Sequence, residues 1–495
     1  MGIIIRQSII STTLTYLGVI IGYINILILF PKYMSPEQVG LQRTFQDAAL
    51  LLVPFVQIGV SQLTLKYFPK YKNKAYYSEF VTIILAFFLI AALIFSSFYL
   101  FFEREISLYF ATNSAEINQY LGLIFGLSIL LALHQVLVAF TQSSLNIILP
   151  IFLKEVILRA LTLIDIILFA TNTISFNLFI YLLAGAYFLS FIALLIYLIS
   201  TKTISLSFKI EHFKKSILKE MVVYSLFTFL GASGILIIGK VDSIMVSSML
   251  GLHENGIYAT AFYIAVLIEL PKRAIAQIGT PIISKAYKEN NAKEIKSIYA
   301  KSSINNLIIG SLLYVGIWIN LDNIFALIPN SHYYIIGKWV VLIVGTGKLI
   351  DMAAGLNGEI IAMSKNYKVN TYLIVLLTAF TIYANYLLIP LYGLEGAAIG
   401  SAIAIFLYNF SKFLFLLIKE RLQPFSFQTI KVLFIGSFCL IVGLNIPQLM
   451  NIYFDILIRS TVVTVMFGAL VLLMKPSAEV NSLVSQIWNR IFRTK

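Results

Sequence analysis

Apolar runs, each close to the length that crosses a lipid bilayer, recur along the whole of this 495-residue chain. A helix needs about 20 such residues to span the hydrocarbon core. In lipid, only helices and closed barrels satisfy every backbone N–H and C=O. A barrel would show alternating segments of about ten residues, so the runs predict an all-α polytopic membrane protein. Composition agrees: 59% of residues are hydrophobic and only 12% charged, against about 25% charged in soluble domains.

Fourteen transmembrane helices are expected, at 7–30, 44–65, 79–102, 118–140, 147–170, 177–200, 220–250, 255–275, 303–325, 335–357, 369–389, 394–418, 428–446 and 455–474. The first is too long for a signal-peptide core and no small-residue cleavage pattern follows it, so a retained helix is expected. The seventh is long enough to tilt or to project beyond the bilayer. Cys439, the single cysteine, lies in an apolar run. That excludes an internal disulfide and argues against a Cys-based metal site.

Lys and Arg favour short cytoplasmic loops. One set of alternate loops carries Arg6, Lys66 to Lys74, Lys154 and Arg159, Lys202 to Lys219, Lys272 to Lys301, Lys365 and Lys368, Lys412 to Lys431, and the terminal Lys475 to Lys495. The other set offers only Lys32, Arg43, Arg104, Lys338 and Arg459. Both termini are therefore expected in the cytoplasm. The net charge of +14 reads as topology, and no nucleic acid is expected as a partner. The opposite loops, such as "TNTISFN" and "PLYGLEG", are too short to fold into a catalytic or receptor domain. The tail "EVNSLVSQIWNRIFRTK" spaces its apolar residues at i, i+3, i+4 and ends in basic ones, the pattern of an interfacial helix on the inner leaflet.

Two segments repeat about 213 to 216 residues apart: "TYLG" (15–18) with "TFLG" (228–231), and "YMSPEQVGLQRTFQDAALLLVP" (33–54) with "SMLGLHENGIYATAFYIAVLIELP" (248–271). Gly40 falls on Gly256. Six spans separate the copies, so both halves insert the same way round and an axis along the membrane normal relates them, as in alternating-access transporters. The expected organisation is an N-terminal lobe at 1–200, a cytoplasmic linker at 201–219 and a C-terminal lobe at 220–418. Two further helices at 419–474 and an amphipathic tail at 475–495 complete it.

"KVDSIMVSSMLGLHENGIYATAFYIAV", "YGLEGAAIGSAIAIFLYN" (392–409) and "YMSPEQVGLQRTFQDAALLLVPFVQIGVSQLTLKYFPKY" resemble signatures of oligosaccharide flippases in the multidrug/oligosaccharidyl-lipid/polysaccharide (MOP) exporter superfamily. With the span order and the linker, the resemblance extends over nearly the whole chain. It implies a MATE-like fold of two six-helix lobes about a central cavity, plus two C-terminal helices. It also implies a Wzx-type translocase that moves undecaprenyl-pyrophosphate-linked oligosaccharide across a bacterial cytoplasmic membrane for surface polysaccharide biosynthesis. Membrane lipids, and polysaccharide polymerase or assembly proteins, are then the expected partners. No cofactor is expected beyond coupling to H+ or Na+.

Such a substrate needs a shielded polar path, because unpaired charge in hydrocarbon is very costly. The work is differential binding in two conformations, without a nucleophile or a metal. Ionisable residues inside spans usually face the bundle interior. The candidates for cavity cations and their partners are Arg43 and Asp47 (i, i+4), Lys240 and Asp242, and Lys348 and Asp351 (i, i+3). Glu269, in reach of Lys272 and Arg273, and His134 beside Gln135 are secondary. Arg43–Asp47 and Lys348–Asp351 read equally well as self-neutralising structural pairs, Glu155–Arg159 as a pair at a helix end, and His134 as a satisfied core histidine. Residues i and i+2 on a helix point about 200° apart, so Lys240 and Asp242 each need a partner elsewhere. Lys240 is the candidate phosphate-binding cation.

Lipid II flippases and cation-coupled multidrug extruders of the same superfamily are alternatives. An extruder of organic cations would favour acidic or neutral residues where this chain has Lys240 and Lys348. A membrane-embedded glycan polymerase or ligase is the alternative from another class. It would carry a sizeable outer catalytic loop, which these short loops do not provide.

Overall fold

The computed structural model describes residues 2–144, 146–207 and 209–482. They form helices joined by loops and turns, with no strand among them. Among the described residues nine helices are long and apolar enough to cross a membrane. Two bent helix pairs meet the same test together, Pro36–Gln57 with Val60–Tyr71 at 50° and Ser331–Ala353 with Asn357–Met363 at 48°, and bring the number to eleven if each is one span. That number lies below the expected fourteen because it rests on unbroken length and apolarity alone. The expected spans 369–389 and 394–418 are two helices within Tyr367–Phe415, joined across a kink at Gly393 (φ 60°, ψ −131°), a conformation open to glycine. The expected span 147–170 is helical from Ile148 to Ala170, with a π-helical turn at Leu153–Ile157. The expected span 255–275 is Leu252–Val266, a 3-10 turn Leu267–Glu269 and the start of Leu270–Lys288. Most of the expected tail helix lies outside the described residues.

The chain packs as two compact units, Met1–Ala259 and Thr260–Lys495. The division lies beyond the 201–219 segment because helix Lys215–Met249 packs along helix Pro36–Gln57 in the first unit. Pro36–Gln57 also packs on Leu121–Ser143 and Tyr77–Phe101. Its start is fixed locally: the Gln38 amide donates to Ser35 Oγ at 3.3 Å and the Ser35 amide to Gln38 Oε1 at 3.1 Å, with Pro36 in the first turn. That is a reciprocal capping box. The helix stops at Ile58 (φ 42°) and Gly59 (φ 78°). A Cβ on Gly59 would overlap the Ser225 carbonyl, so Lys215–Met249 crosses at the break.

The segment before Lys215–Met249 is tied down as well. Glu79 accepts from the amides of Glu211 (2.9 Å) and His212 (3.0 Å), while His212 Nδ1 lies 2.7 Å from Glu79 Oε1.

At the start of helix Pro36–Gln57, residues 216 positions apart meet. A Cβ on Gly40 would overlap the Leu252 carbonyl, and a Cβ on Gly256 would overlap the Pro36 carbonyl. His253 Nδ1 lies 2.6 Å from Glu37 Oε1. Pro36 and Leu252, Glu37 and His253, and Gly40 and Gly256 are each equivalent in the repeat. The contact is therefore reciprocal, in the manner of an isologous two-fold interface. Glycine at both positions lets the backbones approach, as at small-residue crossings in membranes.

In the second unit, helix Lys338–Ala353 packs against Tyr367–Phe415 and Ala292–Ile319, and Ala292–Ile319 packs on Phe427–Leu444. Leu307, Val315, Val432, Ile435, Cys439, Val463 and Phe467 form one apolar core here, which places the single cysteine in packing.

Candidate functional site: two clusters of intramembrane ion pairs

In the first unit the charges of helix Pro36–Gln57 meet those of Lys215–Met249. Asp47, 1% exposed, is held from two sides: Arg43 Nε at 2.5 Å on its own helix and Lys240 Nζ at 2.6 Å across the packing face. Asp242 points elsewhere and accepts from Tyr258 Oη at 3.1 Å. The separation of Lys240 from Asp242 follows from helix geometry, since i and i+2 face different neighbours. Below the ion pairs, Gln57 Nε2 donates to Gln135 Oε1 at 2.8 Å.

His134 turns aside: its Nε2 lies 3.4 Å from Ser190 Oγ. Glu155 and Arg159 pair at 2.7 Å, and Arg159 also donates to the Gly18 carbonyl. Asp165, two turns on, is buried, and one carboxylate oxygen has no hydrogen-bond partner among the described residues.

In the second unit the expected Lys348–Asp351 partnership is replaced by cross-pairing. Lys348 Nζ lies 2.5 Å from Glu269 Oε2, and Lys272 Nζ lies 2.7 Å from Asp351 Oδ2. The physical reason is register. Glu269 and Lys272 are three residues apart, as are Lys348 and Asp351, and the order of sign is reversed between the two. Two facing helical turns with that pattern match charge to charge at both levels. Arg273 reaches Glu269 at 2.6 Å, as expected, whereas Lys272 turns to Asp351. Lys272 also donates to the Asp351 carbonyl at 2.9 Å.

Three residues that sequence reasoning missed complete this cluster. Asn409 Nδ2 donates to Asp351 Oδ1 at 3.0 Å, and Asn357 Nδ2 donates to Asn409 Oδ1 at 2.9 Å. Lys412, one turn past Asn409, is 6% exposed. Grouping Lys412 with the loop cations hid it. The signal was present, because the lysine interrupts "IFLYNFSKFLFLLI" well inside an apolar run. Among the described residues no three His, Cys, Asp or Glu side chains are grouped to hold a metal ion.

Comparison with known proteins agrees with this architecture. Residues 4–286 match the family model described as "Polysaccharide biosynthesis protein". The probable low-salt glycan biosynthesis flippase Agl15 of Haloferax volcanii is 22% identical over 269 residues, 52% of this chain and 56% of that relative. The chain thus spans about half the length of that curated relative. Among solved structures, the lipid II flippase MurJ in an inward closed conformation superposes with a TM-score of 0.75 at 17% identity, covering 94% of this chain and 98% of that one. An inward-facing multidrug resistance MATE family transporter of the MOP superfamily gives 0.65 at 14% identity, covering 82% and 97%. With over half its length matched by the family model and its helices arranged as in MurJ and MATE proteins, the chain belongs to the polysaccharide biosynthesis protein family and has the MOP superfamily fold.

Proposed function

We propose that this protein is a flippase that carries undecaprenyl-pyrophosphate-linked oligosaccharide from the inner to the outer leaflet of a bacterial cytoplasmic membrane. Both termini would lie in the cytoplasm, and the glycan would serve surface polysaccharide assembly. The observation that carries this reading is the charge balance of the two clusters. Three carboxylates, Asp47, Glu269 and Asp351, are contacted by five cations: Arg43, Lys240, Lys348, Arg273 and Lys272. Intramembrane charges of this kind mark substrate pathways, and an excess of cations suits an anionic headgroup. An organic cation would be repelled by it.

The work is alternating exposure of a polar site, driven by differential binding in two states and coupled to H+ or Na+. The polyprenyl chain stays in lipid and no bond of the glycan is broken. The nearest second reading is a lipid II flippase, favoured by the superposition on MurJ; both substrates share the polyprenyl pyrophosphate. Proteoliposomes loaded with a fluorescent polyprenyl-pyrophosphate oligosaccharide test the proposal. Protein-dependent loss of protection from an external quencher is expected. An unchanged protected fraction with every pyrophosphate-linked glycan, lipid II included, overturns it.

A further inference from the structure

Among the cations of the two clusters, Lys412 differs in its partners. Its side chain is buried and its Nζ lies 3.5 Å over the ring of Tyr408. Tyr408 Oη donates to Asn370 Oδ1 at 3.1 Å, which fixes the ring. On another side, a Cβ at Gly358 would lie 3.0 Å from Nζ, so a larger residue there would crowd the ammonium. Arg43, Lys240, Lys272, Arg273 and Lys348 each have a carboxylate. Lys412 makes no ion pair and donates no hydrogen bond among the described residues. Asp351, one turn away through Asn409, has both oxygens engaged, by Lys272 and by Asn409. Glu359, the residue after Gly358, does not come within ion-pair distance of Lys412.

A buried ammonium without an acceptor is strongly unfavourable, and a ring face offsets only part of that cost. Three N–H donors on a point charge suit a tetrahedral oxyanion. We propose that Lys412, framed by Tyr408 and Gly358, is an anion-binding subsite for a phosphate or pyrophosphate group. Lys272 stands beside it on Asp351 and adds to the positive field. The assignment deepens the flippase reading and rests on its pyrophosphate-linked substrate. It places one contact of the headgroup in the second unit, at a residue distinct from Lys240 and Lys348.

The test is equilibrium binding to the purified full-length protein in nanodiscs, followed by the shift of the thermal unfolding midpoint. Inorganic pyrophosphate and a short-chain polyprenyl pyrophosphate are titrated separately. Wild type should be stabilised by the polyprenyl form, Lys412→Met should weaken that binding at least tenfold, and Lys412→Arg should recover part of it. Lys431→Met, whose lysine donates to the Met474 carbonyl, should stay within twofold of wild type. Lys412 dependence with both probes assigns the subsite to the anion alone; dependence with the polyprenyl form only assigns it to the lipid headgroup. Without ligand, Lys412→Met should unfold no earlier than wild type, since it removes an ammonium that lacks an acceptor. Wild-type binding of polyprenyl pyrophosphate by Lys412→Met, or earlier unfolding of that variant without ligand, overturns the assignment. The flippase reading fails separately, if pyrophosphate binds through Lys412 but no glycan crosses the bilayer.

Discussion

Asp47 Oδ1 lies 2.6 Å from Lys240 Nζ across 193 residues of chain, and the same carboxylate holds Arg43. One buried acid thus ties helix Pro36–Gln57 to helix Lys215–Met249. Removing one partner of a buried pair strands the other charge and typically costs about 3–5 kcal/mol. Asp47→Asn should therefore destabilise the protein by an amount of that order. Adding Lys240→Met to Asp47→Asn should recover part of the loss, because the stranded cation disappears. Thermal unfolding in one detergent, with the four members of the double-mutant cycle, measures the coupling. Additive losses would show that the two residues do not stabilise the fold as a pair.

Glu269, Lys272, Lys348 and Asp351 interlock by register, which sets a different expectation. Exchanging the charges as Glu269→Lys with Lys348→Glu preserves the attraction between the two positions, although Arg273 loses its acceptor. Either single change places like charges together in a partly buried site. The double variant should be more stable than either single variant, with an interaction energy of about 0.5–3 kcal/mol. Unfolding midpoints measure it, and a double variant no better than the worse single would rule the pairing out.

The glycine contact is open to a contrast between positions. Gly40→Ala and Gly256→Ala each drive a methyl into a backbone carbonyl, which cannot swing away as a side chain does. Overpacking of this kind costs about 1–3 kcal/mol. At Gly122, inside helix Leu121–Ser143, an added Cβ meets nothing within 4 Å. Gly122→Ala should therefore stabilise by up to about 1 kcal/mol through helix propensity. Opposite signs in thermal unfolding support the close approach; equal effects contradict it.

Acid should loosen the segment that follows the last long helix. Burial pulls the Glu479 carboxyl upward, but hydrogen bonds from Lys301 and Asn305 and the lysine's charge hold it below its ordinary value of 4.5. A depressed carboxylate contributes stability that is complete above the unfolded value and lost as pH falls through the folded one. Hydrogen exchange across 477–482 should stay protected at pH 7 and, corrected for intrinsic rates, lose protection below about pH 4.5. Glu479→Gln should lower protection at pH 7 and flatten the dependence. A wild-type profile that does not change on acidification contradicts this.

Much of the architecture could be read from the chain because lipid imposes it. Apolar length gave the spans, and the repeat foretold equivalences such as Gly40 with Gly256 that the structure brings into contact. Irregularities within the helices were harder to read, because the kink at Gly393, the π-helical turn at Leu153–Ile157 and the 3-10 turn at Leu267–Glu269 bend or retwist the chain without changing hydrophobicity. For the charges, helix geometry separated Lys240 from Asp242, and it was correct for Arg43 with Asp47. It failed for Lys348 with Asp351, where an equally close partner on a facing turn was invisible to spacing along one helix. Lys412 escaped notice for a related reason. Its significance lies in what surrounds it, and Tyr408, Asn409 and Gly358 come together only when Asn357–Met363 packs on the helix that carries them.

If the intramembrane lysines serve an anionic lipid-linked glycan, its export depends on them. The most direct measurement is surface glycan in a host whose own flippase is deleted, complemented by wild type, Lys240→Ala or Lys348→Ala. Each protein's abundance in the membrane should be measured alongside. Both variants should still reach the membrane, at reduced levels because each takes a cation from an intramembrane carboxylate, and export little or no glycan per molecule of protein. Normal export by both would contradict that dependence.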